Sequence, residues 1–375
     1  MGVLSSIDES FQHQVAFPQA VAGSSDPGWR ERYWVNFQDT RTKERSVSLG
    51  LGKYPNQDVF EGFVCVSENG VQTNLCLSRS IAQSQLDNGQ LEVGPLRVDI
   101  VDSFKQLRFV LGPNPSGLEL NVTWTSVCEP ILEDRHLEID RGRVTHDLIR
   151  YVQLGRMSGT LVTPAAGAVE VTMNDWYGER DHSWGLRPIP AKPGGPPTQP
   201  PEWKFLMFCP LQFDTFAAHI YLYETVPGRP LHLSAVLVGT HGHPDPPKVH
   251  SVSHELNWDA DAPAATLTGG TIRFDFVDGT SREVTLLAHP QRIMLRGAGY
   301  GRDHGNWKGE DWLETDQWDL TDPEILRKAA GASPDHLVEA RYEDEVGFGV
   351  MEYVVRSGYP KYQVAQRRRP QRGQS

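Results

Sequence analysis

The chain has 375 residues, 38% of them hydrophobic and 22% charged, with a formal net charge of −12. That length allows two domains with a core each, and the acidic balance argues against a nucleic-acid-binding surface. No apolar run approaches the roughly 20 residues of a membrane-spanning helix.

The N-terminal stretch MGVLSSIDESFQHQ has no basic region followed by an apolar one, so no signal peptide is read there and a cytoplasmic protein is expected. Its first six residues fit the loose N-myristoylation pattern at Gly2 and Ser6, a short and weak match. From Arg32 onward short apolar or alternating runs follow one another: RYWVNF, RSVSLGLGKY, EGFVCVS, VQTNLCLSRS, LRVDIVD, QLRFVLG and LELNVTWTS. Gly, Asn, Asp or Pro bounds most of them, as in an antiparallel meander. The Asn-Gly pairs in SENG (Ser67 to Gly70) and LDNG (Leu86 to Gly89) favour type I′ hairpin turns. Cys65, Cys76, Cys128 and Cys209 lie in apolar strands without CxxC spacing and read as reduced, buried thiols.

YVQLGRMSGTLV and GAVEVTMNDWYG lead into GERDHSWGLR, a cluster of Trp176, Tyr177, Glu179, Arg180, Asp181, His182 and Trp184. On an extended strand Arg180, His182 and Trp184 would face one way and Glu179, Asp181 and Ser183 the other. Only a turn, which Gly178 and Gly185 make plausible, would bring Asp181 and His182 into one pocket. Two readings stand. The segment is a structural corner with Arg180 paired to a carboxylate, or Asp181 and His182 do acid–base work among indoles that raise the aspartate's pKa.

PIPAKPGGPPTQPPE, Pro188 to Glu202, cannot join a ladder and reads as a linker or loop. Strands resume with WKFLMFCPLQF and continue through RIMLRGAGYG. In AAHIYLYE the alternation places His219, Tyr221 and Tyr223 on one face, either lining a cavity or on the surface. THGHPDPPKVHSVSH carries His241, His243, His250 and His254; its prolines and the lack of a close third ligand make it a loop rather than a metal centre.

GRDHGNWKG then repeats the Arg-Asp-His order with Arg302, Asp303, His304, Asn306 and Trp307, followed by Trp312; Asp303 stands 122 residues after Asp181. The extra residue before its Trp indicates that the two copies have diverged. DPEILRKAAGASPDHLVEARYE is expected to be helical, capped by Asp322 with Pro323 in its first turn and broken around Gly331 and Pro334. GFGVMEYVVRSGY reads as a closing strand, and the basic RRRP near the end as a solvated tail.

The pattern is that of an all-β protein of two consecutive antiparallel barrels with a short helical insertion near the C-terminus. The expected division is a barrel over 1–187, a linker over 188–202, a second barrel over 203–365 and a disordered basic tail over 366–375. There is no P-loop, no G-x-S-x-G elbow and no H-E-x-x-H.

The stretch VQLGRMSGTLVTPAAGAVEVTMNDWYGERDHSWGLR, Val152 to Arg187, resembles the hydroxyneurosporene synthase (carotenoid 1,2-hydratase)-like, double lipocalin-like superfamily. The likeness is nearest to a bacterial branch of unknown-function domains in which RDHSWG recurs. The resemblance implies two lipocalin-like barrels with a ligand pocket near their junction, and hydration, isomerisation or cyclisation of a hydrophobic small molecule. The acidic motif position of the family falls on Asp181. The expected function is therefore a cofactor-independent acid–base enzyme of hydro-lyase or isomerase type, acting on a terpenoid, steroid or polyketide-like compound. Asp181, His182, Asp303 and His304 are the candidate catalytic residues. Trp176, Tyr177, Arg180, Trp184, His219, Tyr221, Tyr223 and Trp307 are the candidate substrate-binding residues. No metal, cofactor or nucleic-acid partner is expected, and a homodimer is admitted. The alternative is a carrier of a lipophilic ligand, favoured if an ion pair with Arg180 lowers the pKa of Asp181.

Overall fold

A computed structural model describes Glu9 and residues 24–81, 90–140, 142–187, 203–300, 304–362 and 364. The myristoylation pattern, the LDNG turn, the proline-rich linker, Arg302, Asp303 and the basic tail lie outside the described residues.

Among the described residues, thirteen strands precede the linker: β1 (Trp29–Asp39), β2 (Arg45–Tyr54), β3 (Val59–Glu68), β4 (Val71–Arg79), β5 (Leu91–Val93), β6 (Leu96–Asp102), β7 (Gln106–Leu111), β8 (Glu119–Ser126), β9 (Ile131–Leu132), β10 (His136–Asp140), β11 (Arg143–Thr163), β12 (Gly167–Val171) and β13 (Trp176–Leu186). After it come β14 (Phe205–Gln212), β15 (Phe216–Val226), β16 (Arg229–Gly239), β17 (Val249–Trp258), β18 (Leu267–Phe276), β19 (Ser281–Met294), β20 (Asp311–Asp319), the helix α1 (Pro323–Ala329), β21 (Pro334–Tyr342) and β22 (Glu345–Val355).

They form two large antiparallel sheets, one nearly closed barrel and one half-barrel. The first sheet has 14 strands in the order β20-β4-β3-β2-β1-β13-β11-β8-β7-β6-β5, with β9, β10 and β12 pairing to the long β11. The second has eight, in the order β16-β15-β14-β22-β21-β19-β18-β17. β20 thus leaves the second half of the chain to pair with β4. Asn69 and Gly70 both take positive φ between β3 and β4 (51° and 82°), as the Asn-Gly turn requires.

One expectation fails. Asp322 does cap α1, its side chain accepting from the Glu324 N–H, but the helix ends at Ala329, and Pro334–Tyr342 is a strand instead of a second helical segment. β21 pairs with β19 on one side and β22 on the other, and its residues Pro334 to Ala340 are buried. Ladder hydrogen bonds on both edges and burial on both faces outweigh the helical propensity of LVEAR.

Each sheet wraps its own apolar core. The first is built on residues such as Phe37, Phe109, Trp124 and Trp176, and the second on Phe205, Phe216, Phe274 and Met351. A third cluster lies between the sheets, where Trp34, Phe63 and Val152 meet Phe208, Tyr221 and Val350. β1, β13 and the middle of β11 therefore bury both faces. Polar ties cross the same junction: the Trp34 indole and the Asn36 amide both donate to Asp335 of β21, at 3.1 and 3.3 Å.

Candidate functional site

GERDHSWGL forms no turn. β13 stays extended from Trp176 to Leu186, pairing with β1 on one edge and β11 on the other. Asp181 and His182 consequently point to opposite sides of the sheet.

The inner face holds Trp176, Arg180, His182 and Trp184. Trp176 packs in the first core against Phe37, ring centroids 5.9 Å apart. Arg180 donates to both Glu9 oxygens at 2.7 and 2.9 Å and to the Gln153 amide oxygen at 2.8 Å, with its guanidinium 4.7 Å from the Trp124 ring. Burial would raise the Glu9 carboxyl, but Arg180 brings it below its ordinary value. His182 lies between the Tyr151 hydroxyl (3.2 Å) and the Glu31 carboxylate (3.0 Å), and Trp184 meets its ring edge-on at 5.5 Å. Arg180 therefore pairs with Glu9 and not with Asp181. These residues fill the interior of the first barrel.

The outer face looks across to the second sheet. Tyr177 packs edge-on against Phe348 of β22 (5.2 Å) beneath the Arg156 guanidinium (3.4 Å). Glu179 is fully buried, and burial with Asp335 nearby holds its carboxyl well above the usual range. Asp181 opens into a cavity of about 140 Å³ lined from the first sheet by Arg32, Trp34, Arg150, Ser183 and Arg187, and from the second by Phe208, Tyr221 and Glu352. Leu206, Tyr223 and Tyr300 complete the wall. The polar face of β15 is thus turned inward, with Tyr221 donating to the Tyr223 hydroxyl at 2.7 Å.

Burial raises the Asp181 carboxyl above its ordinary value, and Arg150 and Arg187 only partly offset it. Asp181 is 7% exposed and meets Arg150 Nη1 at 3.4 Å, a long contact for a charge-assisted pair. Arg150 is itself fixed from behind. Its Nε donates to Glu133 at 2.8 Å, and Glu133 takes a second bond from His219 Nε2 at 2.7 Å. Burial lowers the pKa of His219, so the neutral ring donates from Nε2. His219 is therefore a support for Arg150 and not a wall of the cavity.

A second chain reaches the cavity from the C-terminal motif. His304 Nδ1 faces the Glu61 carboxylate, and its Nε2 lies 3.3 Å from Arg32 Nη2. Burial and Arg32 together lower His304 to about 4, while His304 and Arg32, against the raising effect of burial, hold Glu61 at about 2. The partners fix the tautomer: Nδ1–H donates to Glu61 and Nε2 accepts from Arg32. His304 thus stands one side chain behind the cavity that Asp181 lines. Trp307 does not approach it. Its ring is 58% exposed, and its indole N–H donates to Ser80.

Sequence reasoning missed Arg32, Arg150, Arg187, Tyr300 and Glu352. Charged residues alternating with aromatics inside strands that read as ordinary, as in RERYW and LIRYV, are the signal that would have marked the first two. The loop His241 to Lys248 is outside any strand, but His254 lies buried in β17 between Tyr362 and Glu224.

The fold and cavity define a two-sheet β protein with an arginine-rich pocket at the sheet junction. The chain belongs to a family of unknown function (DUF8625), whose model matches residues 4–361. Among solved structures it is similar to an AttH candidate from Nitrosomonas europaea, at 13% identity over 92% of this chain and 98% of that one, with a TM-score of 0.55. Kievitone hydratase from Nectria haematococca aligns at 10% identity over 92% and 96%, with a TM-score of 0.49. No match to a curated protein sequence was found. The likeness to the Nitrosomonas structure shows the fold.

Proposed function

We propose that the protein is an acid–base enzyme of hydro-lyase or isomerase type, with Asp181 as the general acid. The observation that carries this reading is a buried carboxyl, its pKa raised by that burial, facing a cavity beside a fixed guanidinium. A protonated Asp181 gives its proton to an alkene carbon or a departing oxygen of the bound substrate. The carboxylate left behind is stabilised by Arg150, which Glu133 and His219 hold in place whatever the state of the reaction. Arg32, positioned by His304, supplies a second fixed charge for an oxyanion.

The cavity also narrows the substrate. Its volume of about 140 Å³ is close to that of engineered cavities of about 150 Å³ that take one benzene ring. Trp34, Phe208, Tyr221 and Tyr300 offer flat apolar walls, and Arg32, Arg150 and Arg187 favour an oxygen-bearing, anion-forming substituent. A phenol, enone or small cyclic carboxylate fits this description better than a steroid or a long terpenoid. A pairing of Arg180 with Asp181 would have favoured the carrier reading, and Arg180 is engaged by Glu9 instead.

The test exposes the protein and its Asp181→Asn variant to a library of small phenols, enones and cyclic acids, followed by native mass spectrometry. A captured compound that changes by one water, or rearranges at constant mass, only with the unsubstituted protein supports the assignment. Equal conversion by both proteins removes Asp181 from the chemistry. Capture without conversion by both makes the cavity a carrier's.

A further inference from the structure

A second cluster stands on the other side of Tyr221 and Tyr223. His136 and Glu138 are two apart on β10 and so share a face, and Glu138 pairs in register with His146 of β11. One donor atom from each of the three lies within 4.8 Å of the other two. The His136 ring stacks on His146 at 4.1 Å and, on its far side, on His232 of β16 at 4.3 Å. His136 and His146 are 5% and 8% exposed.

Three of their ring nitrogens are not accounted for by the protein. His136 Nε2 meets Glu138 at 3.0 Å, but His136 Nδ1, His146 Nε2 and His232 Nε2 are buried with no hydrogen-bond partner. A buried polar nitrogen without a partner is costly, and three in one stack need a reason. Two imidazoles and a carboxylate with room for a further ligand form the donor set of open zinc sites.

We propose that His136, Glu138 and His146 bind one divalent cation of the zinc class, with the fourth position left to water as in open zinc sites. Mixed imidazole–carboxylate donors select zinc, cobalt or nickel over magnesium and calcium, which take all-oxygen shells. Arg30 and Arg187 act on His146 electrostatically, so short-range coordination, not long-range attraction, must hold the ion. The site shares a wall with the junction cavity, since the His136 ring lies 5.2 Å from Tyr223 and the His232 ring 5.2 Å from Tyr221. The binding claim is independent of the acid–base reading of that cavity.

The experiment titrates the full-length, tag-free, chelator-stripped protein with zinc(II) by calorimetry and with cobalt(II) by visible absorption. One equivalent is expected to bind, with a cobalt ligand-field band. His146→Ala should weaken binding at least about tenfold, by the scale on which even outer-shell partners of metal ligands act. Glu138 is 42% exposed at its side chain, so Glu138→Gln should weaken binding without unfolding the chain, which circular dichroism checks. His243→Ala, in the exposed loop, should leave binding unchanged. The proposal is overturned by absence of stoichiometric binding, by equal uptake of magnesium, or by affinity that survives both Glu138→Gln and His146→Ala.

Discussion

The two faces of β13 carry residues of one short motif and put them to different uses. Inward, Arg180 and His182 meet Glu9, Gln153, Tyr151 and Glu31 within hydrogen-bond distance. Outward, Asp181 has, among the described residues, a single long contact to Arg150 and faces a cavity. The pleat of one strand thus separates a network of close hydrogen bonds from a carboxyl that meets a long contact and a cavity, and the acid assignment rests on the second. Motif density alone would not have distinguished them, because both faces are equally polar in sequence and equally buried.

The largest effect should come from the inner face. Arg180→Met leaves the buried Glu9 carboxylate without its counter-charge, and breaking one partner of a buried pair costs about 3–5 kcal/mol. Chemical denaturation should show that loss, and the double variant with Glu9→Gln should recover most of it. A loss of under about 1 kcal/mol would assign the pair to the surface class and break the contrast between the faces.

A smaller effect is expected from the C-terminal motif. His304 is held neutral in the fold, its pKa lowered from 6.5 to about 4 by burial and then Arg32. The unfolded chain therefore takes up this proton first on acidification, so stability falls as the pH drops from about 6.5 toward 4. At about 1.4 kcal/mol for each pKa unit, the loss is about 3 kcal/mol. His304→Gln should flatten that limb of a plot of stability against pH. An unchanged slope would mean that His304 is not held against Arg32 and Glu61 as described.

How far the sequence carries this architecture depends on the range of the interaction. The strand runs, the Asn-Gly turn at Asn69 and Gly70 and the Asp322 cap rest on neighbours in sequence and are readable there. Asp181 was also singled out, through its motif. The division of β13 into two faces followed from strand geometry, but the partner on each face did not. Glu9 lies 171 positions before Arg180, and Glu61 lies 243 before His304. β21 was misread because its helix-forming residues are overruled by pairing on both edges, a property of the assembled sheet. The stacked His136, His146 and His232 come from two sheets, and only the His-x-Glu step on β10 is local.

The smallest stability effect belongs to the residue with the largest expected effect on turnover. If the folded state holds Asp181 protonated, Asp181→Asn replaces one neutral group with another of nearly the same shape. Because the pKa is raised in the fold, Asp181 costs the native state stability as the pH rises from its unfolded value through the raised one. The Asn variant escapes that cost, so it should match the unsubstituted protein in acid and equal or exceed it above neutrality. A variant that is clearly less stable at neutral pH would show that Asp181 is a carboxylate anchored by Arg150. The outer face would then be as structural as the inner one. Stability measured at two pH values therefore tests the acid assignment before any substrate is known, and it depends on no property of the ligand.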